Sequence, residues 1–219
     1  MYKRKAIYFD HQVKEGWAAK KYTEPEKEKL EKMFIEAGPF NGLKILEPGC
    51  GTGRLTEMLA DRVGLKGRVI ALDISPEMVE AARARVAGRK NVEIHQAVLE
   101  TFGIADASFD MVICHQVFPH FTNKAKALES MHRALKKGGK LIVHHLISLR
   151  EINDLHRKAG TAVQDDIMPD SDEMKILFGR SGFTIVLIRD GKDGYFLSAV
   201  KTDDILEKQK IYPTFRLSL

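Results

Sequence analysis

The stretch Ile45-Leu46-Glu47-Pro48-Gly49-Cys50-Gly51-Thr52-Gly53-Arg54-Leu55 decides the fold of this chain of 219 residues. A short apolar run delivers an acidic residue to a loop with glycine at every second position, and a helical pattern follows at once. Glycine has no Cβ, so a ligand can approach this backbone closely, and the next helix offers free N–H groups at its start. The stretch therefore predicts a ligand-binding turn between a strand and a helix.

The carboxylate of Glu47 indicates which ligand suits this turn. It would repel a pyrophosphate, whereas it would hold a cationic or amino-bearing group. The glycine spacing is G-x-G-x-G, and the third glycine of the dinucleotide spacing G-x-G-x-x-G would fall at Arg54. Both features argue against a dinucleotide.

Strand and helix patterns alternate along the rest of the chain, and two final strands are joined by a turn of hairpin composition. The order predicts an α/β fold: a Rossmann-like, doubly wound sheet of seven strands, mostly parallel with one antiparallel strand from the C-terminal hairpin, and helices on both faces. The predicted strands are 43–47, 68–73, 91–96, 109–115, 140–146, 183–189 and 195–201. The predicted helices are 24–37, 54–63, 76–87, 123–135 and a helical region 150–181 that is interrupted near Met168-Pro169.

Composition is that of an ordinary globular protein, with 44% apolar and 30% charged residues and no apolar run long enough for a membrane span. Two cysteines give no disulfide framework, and no secretory signal is visible, so we expect a cytoplasmic protein. The net charge of +5 permits a nucleic-acid role, but a solvated lysine-rich face explains it better. We expect one domain over 1–219, with a helical lid (1–40), a core (41–201) and a tail (202–219).

Ligands of such sheets bind beyond the carboxyl ends of the strands. Asp73 ends the second predicted strand, twenty residues after Gly53. An acid at that place can accept both hydroxyls of a ribose. Ser75 and Pro76 already provide a helix start, so Asp73 is not needed as a cap.

Several segments together resemble the class I S-adenosylmethionine-dependent methyltransferases of small molecules. They are E-P-G-C-G-T-G at 47–53, D-I-S-P-E-M at 73–78, F-D-M-V-I-C-H at 109–115, R-A-L-K-K-G-G-K-L at 133–141 and S-G-F at 181–183. The likeness runs from about residue 40 to 201. It implies S-adenosylmethionine as cofactor, S-adenosylhomocysteine as product and a small-molecule acceptor. The chain lacks the D/N-P-P-Y/F motif of enzymes that methylate nucleobase nitrogens.

The resemblance also implies a cofactor site, in which the acid at the Glu47 position handles the amino group of the methionine part. The implied cofactor-binding residues are Glu47, Gly49, Cys50, Gly51, Gly53, Asp73, Ile74, Met78, Val98, Leu99 and His115. One position departs from the pattern, because many members carry an Asp where Val98 stands, and that Asp binds the adenine amino group. Backbone groups around Val98 and Leu99 could still bind the ring edge, and Glu100 is a nearby carboxylate.

Histidines gather at strand ends: His115, His120, His144 and His145, followed by His156. They could act as a general base, bind a metal, or only contact the acceptor. No spacing such as H-E-x-x-H supports a metal, so we predict no metal site. His144 and His145 alternate along a strand, so only one should face the site. We select His115, His120 and His145 as catalytic candidates, with Gln116 beside them on the acceptor side.

Other interpretations stay open. The segment from Tyr8 to Trp17 is predicted to cover the cofactor as a lid, or to pack as a helix on the sheet edge. The chain could instead be a non-catalytic cofactor-binding or RNA-associated module, or an NAD(P)-dependent oxidoreductase. We expect a monomer or a homodimer without nucleic-acid or membrane partners, and a short helix over 203–210.

Overall fold

The computed structural model describes residues 2–14 and 20–202, which form seven α-helices and seven strands. The helices are α1 (Tyr2–Lys14), α2 (Glu24–Ala37), α3 (Arg54–Val63), α4 (Pro76–Arg85), α5 (Lys124–Ala134), α6 (Leu149–Lys158) and α7 (Ser171–Arg180), with a 3-10 turn at Phe118–His120. The strands are β1 (Lys44–Pro48), β2 (Arg68–Asp73), β3 (Val92–Gln96), β4 (Phe109–His115), β5 (Leu135–His145), β6 (Phe183–Gly191) and β7 (Gly194–Lys201).

The strands form one sheet in the order β3-β2-β1-β4-β5-β7-β6. β1 to β5 pair in parallel, and β7 runs antiparallel to both of its neighbours. Apolar side chains are buried on both faces, against α2, α3 and α4 on one side and α5, α6 and α7 on the other. The predicted fold class is confirmed. The strand order reverses at β1, which pairs with β2 on one side and β4 on the other, and this is where ligands bind in such sheets.

The largest boundary error concerns the start of β5. The sequence predicted a helix through Leu135 that stops at Lys137-Gly138-Gly139 and a strand from Lys140. Instead α5 ends at Ala134 and Leu135 already pairs with Phe109 of β4, so the glycines lie inside β5. The register shift between Phe109 and Met111 accommodates the residues of this irregular start.

The helical region predicted over 150–181 divides into α6 and α7. α6 begins at a capping box in which Ser148 and Glu151 bond to each other's backbone, and α7 begins at a similar box made by Asp170 and Glu173. Each box satisfies backbone N–H groups that a helix start leaves free. The break between the helices is therefore wider than the Met168-Pro169 step alone.

The N-terminal helix α1 is tied to distant parts of the chain. The hydroxyl of Ser75 donates to Asp10 Oδ1 at 2.5 Å, and the buried Lys5 contacts residues that follow β4 and α6. Trp17 of the predicted lid and the predicted helix over 203–210 lie outside the described residues. No described helix has both the length and the apolarity that a membrane crossing requires.

Candidate active site

A cleft opens at the carboxyl ends of β1, β2 and β4. The lining residues that the sequence singled out are Glu47, Gly49, Cys50, Gly51, Asp73, Ile74, Met78, Val98, Leu99, His115, Gln116 and His120. Two candidates, Gly53 and His145, do not line it. The structure therefore brings most of the predicted residues together in one cleft.

The glycine turn after β1 forms the floor of the cleft. The backbone N–H groups of Gly49 and Cys50 both donate to Leu72 O, at 2.7 and 2.9 Å, which fixes the turn against β2. Gly49 has a φ of 71°, and a Cβ added there would lie 2.2 Å from Cγ2 of Val117. Gly53 serves packing instead, because its added Cβ would lie 3.1 Å from the backbone of Ala82 in α4.

Gly49→Ala is expected to reduce the free energy of unfolding by about 1–3 kcal/mol, the usual cost of forcing extra atoms into a packed place. Its left-handed φ adds strain for any residue with a side chain. Urea unfolding measures the effect. Gly103→Ala is the matched control, since a Cβ there would meet no atom within 4 Å. Equal stability of the two variants would contradict the packing argument.

Asp73 braces the turn from the end of β2. Its Oδ2 accepts a hydrogen bond from Gly51 N at 2.8 Å, and its Oδ1 accepts one from Ser75 N at 2.9 Å. The side chain is buried, and burial raises the pKa of its carboxyl despite these bonds. Each carboxylate oxygen can accept a further donor, so Asp73 retains capacity for a ligand's hydroxyl groups.

Glu47 is the most unusual ionisable group of the cleft. Its side chain is 2% exposed, and its Oε2 has no hydrogen-bond partner in the described chain. Burial raises the pKa of Glu47 to about 8, and the nearby charge of Asp73 acts in the same direction. A buried acceptor without a donor is costly, and a ligand that brings an ammonium group would supply the missing partner.

His115 lines the cleft with both ring nitrogens already engaged. Its Nε2 lies 3.1 Å from the Tyr22 hydroxyl, and its Nδ1 lies 2.9 Å from Nδ1 of His144, on which it stacks. Burial lowers the pKa of His115 well below its usual range, and His144 adds to this effect. His115 is thus a neutral member of a buried chain of hydrogen bonds, poorly placed to accept another proton.

His120 has the opposite arrangement. Its Nδ1 lies 2.8 Å from Oδ2 of Asp166, and a carboxylate can only accept, so Nδ1 carries the proton. Within residues 2–14 and 20–202 nothing hydrogen-bonds to Nε2, which leaves that nitrogen as a proton acceptor beside the cleft. Burial lowers the pKa of His120, and Asp166 opposes this effect. The ring of Phe9 from α1 packs edge-on against it.

Asp166 is held by α1 from the other side. Lys5 Nζ lies 2.5 Å from Asp166 Oδ1 and donates to His120 O at 2.8 Å. Burial alone would raise the pKa of Asp166, but the bonds from His120 and Lys5 lower it. Asp166 therefore stays a charged carboxylate, and its bond to Nδ1 fixes the His120 ring.

The prediction for His145 needs correction. His144 and His145 point to opposite faces of β5, as alternation requires, but neither lines the cleft. His144 lies behind His115, and His145 lies near His120 and His156 with its Nε2 buried and unpartnered in the described chain. His145 therefore has no direct access to a ligand in the cleft.

Several lining or supporting residues were not predicted, among them Tyr2, Lys5, Tyr22 and Asp166. Each of these four contacts a residue far away in sequence, which no local pattern signals. Among the described residues, no three His, Cys, Asp or Glu side chains are arranged to hold a metal ion.

Comparison with known proteins agrees with this geometry. The model of a family described as a methyltransferase domain matches residues 39–216. The chain belongs to this methyltransferase family. The methyltransferase is 31% identical to the ubiquinone/menaquinone biosynthesis C-methyltransferase UbiE of Shewanella oneidensis over 184 residues, which cover 72% of this chain and 73% of the relative.

Solved structures add to this assignment. A SAM-dependent methyltransferase from Aquifex aeolicus matches the methyltransferase with a TM-score of 0.63 and 25% identity, over 82% of this chain and 98% of that one. The YcgJ protein of Bacillus subtilis shares the fold with a TM-score of 0.68 at 17% identity, over 81% and 100% of the two chains.

The methyltransferase uses S-adenosylmethionine as methyl donor and yields S-adenosylhomocysteine. The cleft fits that cofactor, because the ammonium group of its methionine part suits the unpartnered Glu47 and its bulk suits a floor that admits no side chain at Gly49. The family assignment favours methyl transfer over the oxidoreductase and the non-catalytic module.

Proposed function

We propose that the chain transfers a methyl group from S-adenosylmethionine to a ring carbon of a small hydroxylated aromatic acceptor of the quinol type, with His120 as general base. The observation that carries the proposal is the free Nε2 of His120 beside the cleft, oriented by Asp166. The name of the Shewanella relatives, a C-methyltransferase of quinone biosynthesis, supports the acceptor class.

On the cofactor side, we assign Glu47 to the ammonium group of the methionine part and Asp73 to the ribose hydroxyls. Ile74 and Leu99 provide apolar walls for the adenine ring, and Met78 lies close to the glycine turn after β1. These roles follow from the two carboxylates that the cleft offers. Glu47 is buried with an unpartnered oxygen, and Asp73 has spare capacity to accept hydrogen bonds.

Asp73→Asn is expected to weaken binding of S-adenosylhomocysteine by about 1–3 kcal/mol, the cost of replacing a charged acceptor by an amide next to ribose hydroxyls. Calorimetry at constant salt measures the dissociation constant. Asp106→Asn is the control, because Asp106 is exposed and does not line the cleft. Unchanged affinity of the Asp73 variant would refute the ribose role.

When bound, S-adenosylmethionine supplies an electrophilic methyl group on a sulfonium centre. The chain's own residues act on the acceptor: His120 Nε2 removes a proton from a ring hydroxyl, which raises the electron density at the ring carbon. After that carbon has gained the methyl group, it loses its own hydrogen as a proton and the ring oxygen regains one, so the ring is aromatic again and one proton is released in total. Asp166 holds the ring in the required tautomer and stabilises the imidazolium that forms. Phe9 and Phe121 line the cleft next to His120 and suit a flat apolar ring.

The test offers methyl-labelled S-adenosylmethionine and a reduced 1,4-naphthoquinol with an unsubstituted ring position. We expect a product with the label on ring carbon, located by mass spectrometry and NMR. The matched control is the same quinol with a methyl group already at that position, which keeps both hydroxyls but blocks the carbon. Label on oxygen, or equal labelling of both compounds, would refute carbon methylation.

A further inference from the structure

Lys5 of α1 is a buried cation to which the mechanism above gives no task. The residue is 4% exposed, whereas Lys3 and Arg4 of the same helix lie in solvent. A lysine is almost never buried without a partner, because taking its charge out of water is costly. An apolar side chain would cover the cleft at lower cost. The burial of this charge therefore indicates a role at the place where it is buried.

The ammonium group of Lys5 bonds to two parts of the His120 arrangement. Its Nζ lies 2.5 Å from Asp166 Oδ1, while Oδ2 of the same carboxylate lies 2.8 Å from His120 Nδ1. Nζ also donates to the main-chain oxygen of His120 at 2.8 Å. Phe9, one turn further along α1, packs edge-on against the His120 ring. One cation thus bridges the backbone of the general base and the carboxylate that orients its ring.

We propose that Lys5 is a positioning residue for the general base, and that His120 is aligned for proton transfer only while α1 lies across the cleft. The inference rests on the proposed function, in which His120 is that base. Loss of the ammonium group takes a hydrogen-bond donor from Asp166 and from the His120 carbonyl, so the carboxylate is free to turn away from Nδ1. Because Tyr2 and Phe9 line the cleft, the element that covers the acceptor also aligns the base.

The charge of Lys5 also affects how readily His120 takes up a proton. The ionisable groups that face the His120 ring are Lys5 of α1, Lys124 of α5, His145 of β5, His156 of α6 and Asp166 of the segment after α6. Burial lowers the pKa of His120, Asp166 opposes this effect, and Lys5 and Lys124 act in the same direction as burial. Without Lys5 the effect of Asp166 is less opposed, so the pKa of His120 should rise.

The experiment compares the pH dependence of kcat in the wild type and in Lys5→Met, with S-adenosylmethionine and 1,4-naphthoquinol as substrates. Met keeps an unbranched side chain and removes the charge. We expect the highest kcat to fall about 10- to 100-fold, the scale of a misplaced catalytic group. The midpoint of the loss of activity at acid pH should move up by about one pH unit, the effect of a charge within a few ångströms. Lys3→Met, an exposed change on the same helix, should alter neither quantity.

Titration of the His120 ring by NMR measures the same shift without turnover. The protein carries labelled histidine and bound S-adenosylhomocysteine, and the signal that disappears in His120→Gln identifies the ring. The titration midpoint of that signal should be higher in Lys5→Met than in the wild type, and Lys3→Met should match the wild type.

A lower kcat with an unmoved midpoint in Lys5→Met overturns the proposal, since a merely structural role gives that result, and so does an unchanged kcat. If Lys5→Met does not fold, Lys5→Gln replaces it, because its amide can still donate to Asp166 but carries no charge. Its midpoint should again rise, and an unmoved midpoint overturns the proposal. Retention of the acid loss of activity in His120→Gln would instead contradict the assignment of the base, so the two failures are distinguishable.

Discussion

His120→Gln is expected to lower kcat for methyl transfer by about 10²–10⁴, the usual contribution of a general base. The affinity for S-adenosylhomocysteine should stay within about twofold, because the variant removes only the proton acceptor on the acceptor side. Gln can still bond to Asp166 but has no basic nitrogen to replace Nε2. Steady-state kinetics with the quinol acceptor and calorimetry with the product measure the two effects separately.

The pH profile separates a chemical role from a merely structural one. Wild-type kcat should fall at acid pH as His120 takes up a proton, and the midpoint should lie below 6.5 because burial lowers its pKa. That acid limb should disappear in His120→Gln. His95→Gln is the control, since His95 lies on β3 with a 40% exposed side chain outside the cleft. An unaltered kcat with an unaltered acid limb would show that His120 is not the base.

Glu47→Gln is expected to stabilise the ligand-free protein at alkaline pH. The folded-state pKa of Glu47 is about 8, against an ordinary value of 4.5, so the folded chain holds a proton that the unfolded chain loses. The stability of the wild type therefore falls by about 1.4 kcal/mol for each pH unit between these values, and a Gln variant lacks this loss. Urea unfolding at pH 5, 7 and 9 should show a growing advantage for the variant.

The same substitution should weaken the cofactor site. Gln cannot balance the charge of the ammonium group, so we expect the dissociation constant of S-adenosylhomocysteine to rise about 10- to 100-fold, as for loss of a charge-assisted hydrogen bond. Glu80→Gln, on the exposed face of α4, is the control for both measurements. A stability difference independent of pH, or an unchanged affinity, would contradict the role of Glu47.

The fold was predictable because its signals are local. The helix from Arg54 to Val63 and the strand from Arg68 to Asp73 have the bounds that apolar spacing predicts. Both bounds depend on residues that lie close together in sequence. The alternation of strand and helix patterns also placed Glu47 and Asp73 at the strand ends that border the cleft. The start of β5 was not predictable, because pairing of Leu135 with Phe109 overrides a helical pattern.

The chemistry of the site was only partly predictable. The sequence offered several histidines, and the choice among them depends on partners that packing supplies. The Tyr22 hydroxyl bonds to Nε2 of His115, and Asp166 orients the ring of His120. Lys5 bonds to Asp166 although the two are 161 positions apart in sequence. No periodicity encodes such pairs. The domain division, the cytoplasmic location and the choice between monomer and homodimer stay predictions.

The bonds of α1 have a consequence for the timing of the reaction cycle. The helix is fastened to Glu100 through Tyr2, to Ser75 through Asp10 and to Asp166 through Lys5. A molecule that leaves on that side would have to wait until these three contacts break. The contact between Lys5 and Asp166 is an ion pair shielded from water. We expect the residence time of the spent nucleoside to depend on the detachment of α1, in which case turnover can be no faster than that step.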